Sequence, residues 1–387
     1  MKITAITPST VNARMRTWVF VKVSTDEGLT GWGEASLEWH TNGVLGALRD
    51  LEPFLLGEDP MRIEHLCQTA FRQPFWTKGL VAMSAFSGIE QACWDIAGKA
   101  LGVPVYQLLG GRVRDHVRMY DHLGGGELSA MYTDDVPGDM AAKARASIEA
   151  GFDAIKINAV PKSGPLEGRA KLAEAEAITG TIRDAVGPGV DLMVDFHGRT
   201  WPEQAIRFAS VLAPFDPLFI EEPVLPGDVA GLARVARAVS PIPVATGERL
   251  VGRRDFRPVL EAAAASVLQP DLCHTGGLWE GRKIAAMAET YNASVAFHNP
   301  LGPISTTAAI HLAFTTPNFL MQEQLRSDVA WRDEVCPIPF PIVNGRALPI
   351  DTPGLGIEID EEAIADHPAG REDMLRWWHD DGSVADW

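Results

Sequence analysis

Cysteine is scarce in this chain: four in 387 residues, Cys67, Cys93, Cys273 and Cys336, with neither metal-type nor redox-type spacing. That scatter excludes a disulfide framework, and each reads as a small buried side chain of a reducing compartment. Long apolar runs are missing too. No stretch of about 18 uncharged apolar residues occurs, which leaves no membrane-spanning helix to expect. The opening Met1-Lys2-Ile3-Thr4-Ala5-Ile6 alternates like a first strand and lacks the apolar core of a secretory signal, so a cytoplasmic location is expected. Positive charge is in deficit, with 34 Lys and Arg against 51 Asp and Glu and a formal net charge of −17. The deficit argues against nucleic acid as a partner. It also leaves any anionic ligand dependent on local cations rather than on the overall field. Two motifs are absent as well. No glycine-rich nucleotide loop follows an early strand, and no His-x-His follows one, as the histidine-rich ligation of a barrel zinc hydrolase would require.

What is present reads as an ordinary globular chain, 46% apolar and 22% charged, long enough for one large domain and a smaller one. Residues 1–34 are β-type, with Trp18–Val23 and Thr30–Gly33 flanking the turn Asp26-Glu27-Gly28. The loop through Trp39, His40 and Asn42 mixes aromatic with polar groups, and either closes over a ligand or is ordinary surface. A helical pattern at 44–71 carries expected breaks at Pro53 and at Gly57–Pro60. A second, Ser84–Leu101, stops at Gly102 with Pro104 just beyond. From Val117 onward eight strand-like runs alternate with helices, and their near-continuous apolar character suits strands buried on both sides. Alternation at this count over about 200 residues points to a (β/α)8-type barrel.

The strand ends carry the chemistry. In order they present Lys156 and Asn158, Asp195 and His197, Glu221, Glu248, Asp271, His298 and Glu323, always on the C-terminal side, the face where barrels do their work. Asp195, Glu221 and Glu248 recur 26 and 27 residues apart, one strand plus one helix each time, so they converge at one edge. Three clustered carboxylates repel unless a cation sits among them, and an all-oxygen site suits Mg²⁺. Asp271 and His298 close consecutive strands, where the acid orients the imidazole as a base. His197, two residues beyond Asp195, points to the same side if the strand continues, and reads as a second acid/base group or a hydrogen-bonded structural histidine. His274 and His311 read as structural, and His122 as a candidate for the pocket wall.

These residues resemble the enolase superfamily in its mandelate-racemase-like branch. The segments that carry the likeness are Lys156-Ile157-Asn158, Asp195-Phe196-His197-Gly198-Arg199, Ile220-Glu221-Glu222-Pro223, Gly247-Glu248-Arg249, Gln269-Pro270-Asp271, His298 with Pro300-Leu301-Gly302-Pro303, and Gln322-Glu323-Gln324. Within that branch they are most similar to acid sugar dehydratases of the galactonate type. The resemblance implies a modified TIM barrel, (β/α)7β, under an α+β cap. The expected division is a cap at 1–115, the barrel at 116–330, and a segment at 331–387 packing back on the cap. It implies one Mg²⁺ per subunit on Asp195, Glu221 and Glu248, the His298–Asp271 dyad removing a C2 proton, and His197 protonating the departing 3-hydroxyl. Lys156, Asn158, Glu323 and, from the cap, His40 are the expected substrate contacts. The substrate would be a small sugar acid, the product a 2-keto-3-deoxy acid, and the setting carbohydrate catabolism in a homo-oligomer. Racemases of the branch carry a second lysine where this chain has Asn158, which turns the reading from racemisation to dehydration. An epimerase with the same metal site and a non-catalytic binding protein are the alternatives. The cap segment Glu34–Asn42 and Asn299 depart from the galactonate pattern, so gluconate or a pentonate stands beside galactonate.

Overall fold

The computed structural model describes residues 1–76, 79–123, 137–325, 329–370 and 376–386. The chain opens with antiparallel strands β1 (Ile3–Ala13), β2 (Arg16–Thr25) and β3 (Thr30–Glu34), then helices α1 (Thr41–Leu55), α2 (Ile63–Arg72) and α3 (Leu80–Leu101). The expected hairpin is thus the second half of a three-stranded sheet. The expected break at Pro53 does not occur. Pro53 lies exposed in the last turn of α1, where one lost backbone bond to a solvated carbonyl is tolerated, and the helix ends two residues later. Helix α3 is buried along most of its length and lies directly on β3. Glycine makes that approach possible, because a Cβ on Gly33 would stand 1.9 Å from the Gly88 carbonyl oxygen. The helix stops at Gly102, whose φ of 68° is the left-handed cap its Gly-x-Pro sequence calls for.

The barrel strands are β4 (Val117–His122), β5 (Ala154–Ile157), β6 (Asp191–Asp195), β7 (Pro217–Glu221), β8 (Val244–Thr246), β9 (Val267–Leu268), β10 (Ser294–Val295) and β11 (Gln322–Gln324). Between them run α4 (Pro137–Glu149), α5 (Arg169–Val186), α6 (Pro202–Leu212), α7 (Val229–Val239), α8 (Arg253–Glu261), α9 (Gly277–Thr290) and α10 (Pro303–Thr315). Successive strands pair in parallel, a bridge from Val295 to Phe319 leads toward β11, and β11 pairs with β4 to close the ring. The architecture is a (β/α)7β barrel with a separate α+β cap. No helix among the described residues is long and apolar enough to cross a membrane, and all four cysteines are buried and free.

Strand alternation sorts the barrel into layers. Tyr120, Ala154, Met193, Phe219, Ala245, Val267, Ala296 and Met321 fill the axis. The opposite parity, including Ile155, Leu192, Val194 and Ile220, packs against the helices. Moving two residues toward the C-terminal end from the axial layer reaches His122, Lys156, Asp195, Glu221, His298 and Glu323. Ionisable groups therefore form the layer immediately above an apolar plug. Several strands are shorter than their apolar runs suggest, so Glu248, Asp271 and His298 sit in loops just past β8, β9 and β10.

Buried carboxylates bolt the cap to the barrel. Glu34, at the end of β3, accepts the Gly302 and Ser305 N–H groups at 2.7 and 2.8 Å, serving as a cap for the start of α10. Glu90, on α3, does the same for Leu278 and Trp279 at the start of α9, at 2.8 and 2.9 Å. Burial pushes Glu90 up to about 7. The far end of the chain meets the cap as well: Asn12 donates its N–H to the His367 carbonyl and accepts from Trp331 Nε1.

His311, within α10, ties three segments together. Its Nδ1 accepts from the Tyr106 N–H and its Nε2 donates to the Leu355 carbonyl, both at 3.1 Å, an arrangement only the neutral ring can make. Burial lowers its pKa to about 4. A depressed histidine contributes stability that is complete above its unfolded value near 6.5 and is lost as pH falls toward 4. Between pH 7.5 and 4.5 the wild-type protein should lose about 2 kcal/mol more than His311→Asn, by urea denaturation at the two pH values. Parallel losses in the two proteins would show that His311 is not the titrating group.

Candidate active site

Asp195 and Glu221 are direct neighbours in the β6–β7 register. With Glu248 they each offer a carboxylate oxygen, all within 4.8 Å of one another. Asp195 and Glu221 reach the site by strand parity alone, whereas Glu248 does not. It stands three residues past axial Ala245, out of phase, and the chain is turned inward at Gly247. There φ is 142°, and a Cβ would meet the Gln269 backbone nitrogen at 2.9 Å. Glu222 secures that turn, since its carboxylate accepts from the Thr246 hydroxyl, from the Gly247 N–H at 3.1 Å and from Arg249 Nη2 at 3.2 Å. Its positioning role was not visible in sequence beyond the Glu-Glu-Pro string.

The cluster carries an excess of negative charge. Lys156, itself 1% exposed, puts its ammonium 2.8 and 2.9 Å from the Glu221 oxygens and 2.7 Å from Glu323. Burial together with Asp195, Glu323 and Glu248 still pushes Glu221 up to about 8, despite that lysine. Burial also pushes Glu248 up to about 7, although His298 and Arg249 stand beside it. For Asp195 burial is outweighed by Lys156, by His197 and His122, and by the His197 N–H, which donates to Oδ1 at 2.6 Å, so it lies below the usual range. Burial, with the neighbouring acids, thus holds two of the three carboxylates above their ordinary values. The three-oxygen donor set fits a hard divalent cation.

On one side of the triad His298 Nδ1 stands 2.8 Å from Asp271 Oδ2, and its Nε2 faces Glu248 at 3.4 Å. Burial disfavours the charged ring, but Glu248, Asp271 and Glu323 outweigh it and raise His298 to about 10. On the other side His197 is brought in by a left-handed turn with φ of 57°, since β6 ends at Asp195. The expected same-side placement thus has a different cause from strand alternation. Asp195, His197, Glu248 and His298 line one cavity of about 380 Å³, which the cap completes with Arg16, Leu37, Glu38, Trp39 and His40.

The other expected substrate contacts divide. His40 lines this cavity. Lys156 and Glu323 are fully buried and engaged with each other, and Glu323 also holds the Asn299 N–H at 2.8 Å and His122 Nδ1 at 3.0 Å. Asn158 meets His122 Nε2 at 3.2 Å. None of these three lines the cavity; His122 does. His274, read as structural, also reaches the wall, with Nδ1 2.9 Å from Ser84 Oγ. Its position five residues past the axial-phase Gln269 gave no periodic signal. Arg16, Glu38 and Arg249 were not singled out either, because cap loops carry no strand-end rhythm.

Comparison with known proteins follows the same division into cap and barrel. Residues 3–110 match the mandelate racemase / muconate lactonizing enzyme N-terminal domain, and 139–363 match the enolase C-terminal domain-like family. D-galactonate dehydratases of Ralstonia pickettii and Pectobacterium atrosepticum are 42% and 40% identical, over 100% of both chains in each case. A mandelate racemase/muconate lactonizing enzyme structure from a Sulfitobacter species superposes with a TM-score of 0.90 at 37% identity, covering 96% of this chain and 97% of that one.

Charge excess at the triad makes divalent-ion uptake a proton-releasing event. A cation favours the ionised carboxylates, so Glu221 and Glu248 give up protons around pH 7 when it enters. With two protons released, apparent affinity should rise by more than about tenfold, and by up to about a hundredfold, per pH unit between pH 6 and 7, less steeply toward pH 8, and flatten above about pH 9. Calorimetric titration in two buffers of different ionisation enthalpy measures the released protons directly. Buffer-independent heats at pH 7 would contradict this account of the site.

Proposed function

The chain belongs to the mandelate racemase/muconate lactonizing enzyme family of the enolase superfamily, and from that premise we propose that it is a Mg²⁺-dependent dehydratase of a galactonate- or gluconate-like aldonate. The observation that carries the reading is that His298, backed by Asp271, and His197 line one cavity together with Asp195 and Glu248 of the carboxylate triad. Relatives at about 40% identity over their full length, named D-galactonate dehydratase, support the reaction class.

Held by Asp195, Glu221 and Glu248, Mg²⁺ would supply Lewis-acid stabilisation to the substrate carboxylate as the α-proton is lost. His298 takes the C2 proton on Nε2, while Asp271 fixes the ring through Nδ1 and offsets the charge it gains. The C2–H electrons pass into an enediolate. His197 then gives its proton to the 3-hydroxyl as the C3–O bond breaks. Water departs, and the enol becomes a 2-keto-3-deoxy acid on protonation at C3. Neutral His298 is the form that works, and compensation of Glu248's charge removes the largest of the influences that raise its pKa. Lys156 and Glu323 serve the carboxylate end from beside the triad, and Asn158 acts through His122. Asn158 also has no exchangeable base function, so it offers no partner for proton return to the opposite face of C2.

A screen of diastereomeric hexonates and pentonates with Mg²⁺, reading 2-keto-3-deoxy product, tests the reaction. On the best substrate Asp195→Asn and His298→Asn should each lower kcat by at least about 10³-fold. His197→Asn should lower dehydration by about 10²- to 10³-fold, yet still allow deuterium from solvent to enter C2 of recovered substrate. Full activity in either of the first two variants would refute the mechanism.

A further inference from the structure

The cap side of the cavity holds a cation that the chemistry above does not use. Arg16, the first residue of β2, is 2% exposed and lines the cavity. Its Nε faces Glu38 Oε1 at 3.4 Å, and its Nη2 rests on the Met15 sulfur at 3.3 Å. Among the described residues, Nη1 has no hydrogen-bond partner, and the Nε contact is an ion pair without hydrogen-bond geometry. A buried guanidinium left with open donors costs free energy unless a ligand completes them. Glu38, 18% exposed, lines the same wall.

Both groups are held in place before any ligand arrives. Ser36 accepts the Val19 N–H at 3.0 Å and donates to Glu34 at 2.6 Å, and Glu34 is itself the cap of α10. Trp39, next to Glu38, has a φ of 58°, a left-handed conformation that a bulky residue adopts only when its surroundings impose it. The loop is therefore a shaped wall.

We propose that Arg16 and Glu38 together read the uncharged, hydroxyl-bearing far end of the substrate, and so select monoacids over diacids. A sugar hydroxyl both donates and accepts, and this pair supplies one partner of each kind, Arg16 Nη1 as donor and Glu38 as acceptor. A second carboxylate fits poorly. The Nε–Nη2 edge that would grip it in two-pronged fashion is already covered by Glu38 and Met15, and Glu38 repels it. The identity of the substrate's near end rests on the sugar-acid reading above; the preference for a neutral far end rests on this pair.

The test uses the full-length Mg²⁺-loaded enzyme, with hexonates and the matching hexarates, which differ only in oxidation of C6. Wild type should favour the best hexonate over its hexarate by at least about 100-fold in kcat/KM. Arg16→Gln should raise KM for the hexonate by about 10- to 100-fold with kcat changed by less than about threefold. Glu38→Gln, which keeps the shape and removes the charge, should narrow the hexonate-to-hexarate ratio by at least about tenfold. A wild-type preference for the hexarate, or an unchanged ratio in Glu38→Gln, overturns the proposal even if Arg16→Gln fails to fold. If no acid is turned over, the dehydratase reading falls, and calorimetric binding of hexonate and hexarate decides the pair by the same ratios. Hexonate bound by wild type and lost in Arg16→Gln supports it. Absence of hexonate binding to wild type, or equal binding in both proteins, overturns it.

Discussion

Three carboxylates converging on one point above an apolar plug is the constraint that the rest of the molecule answers to. Like charges this close, in an environment that excludes water, raise one another's pKa values and resist the very arrangement the fold imposes. The protein compensates in part with Lys156 under Glu221, Arg249 beside Glu222 and Glu248, and a backbone N–H on Asp195. Glu221 and Glu248 nonetheless remain high, at about 8 and about 7. A surplus of that sign, left beside the buried cations, is one that a divalent ion held by the three carboxylates would offset.

The barrel creates this constraint through parity. An axial layer of apolar side chains places the next inward position of each strand at the C-terminal rim, and that position is ionisable on strand after strand. Where parity fails, the chain departs from regular geometry. Glu248 needs the φ of Gly247, and His197 and Glu222 hold left-handed values of 57° and 43°. Left-handed backbone at His197 and Glu222, with a conformation at Gly247 that glycine adopts freely, is what gathers groups that eight straight strands would have aimed apart.

The same reasoning explains how much could be read from sequence. Alternation of strands and helices, the strand-end acids, and the helix stop at Gly102 are periodic or local signals, and they are legible in one dimension. Lys156 was expected to meet substrate, yet no sequence rule says that its ammonium turns to Glu221 and Glu323, because those acids stand on β7 and β11, each two strands from β5, and β11 reaches that place only when the ring closes. Glu222, His274 and Arg16 were missed for related reasons. Each acts across segments far apart in the chain, with no period to mark it. Pro53 misled in the opposite direction, because a proline near an exposed helix end loses less than one in the middle.

Cap and barrel contribute different things to one cavity, and the way they are joined keeps the contributions separable. Glu34 and Glu90 tie cap elements to the N-terminal ends of α10 and α9, so the cap's position is referred to the helices that follow β10 and β9. Those strands end near His298 and Asp271. A ligand gripped by the cap wall at one end is therefore held in a fixed relation to the dyad at the other. The wall residues Glu38 and Trp39 lie just past Glu34 and Ser36, which are hydrogen-bonded to each other, with Ser36 also accepting the Val19 N–H. On the proposed reading, change in that loop would alter what is recognised without moving the atoms assigned to the chemistry.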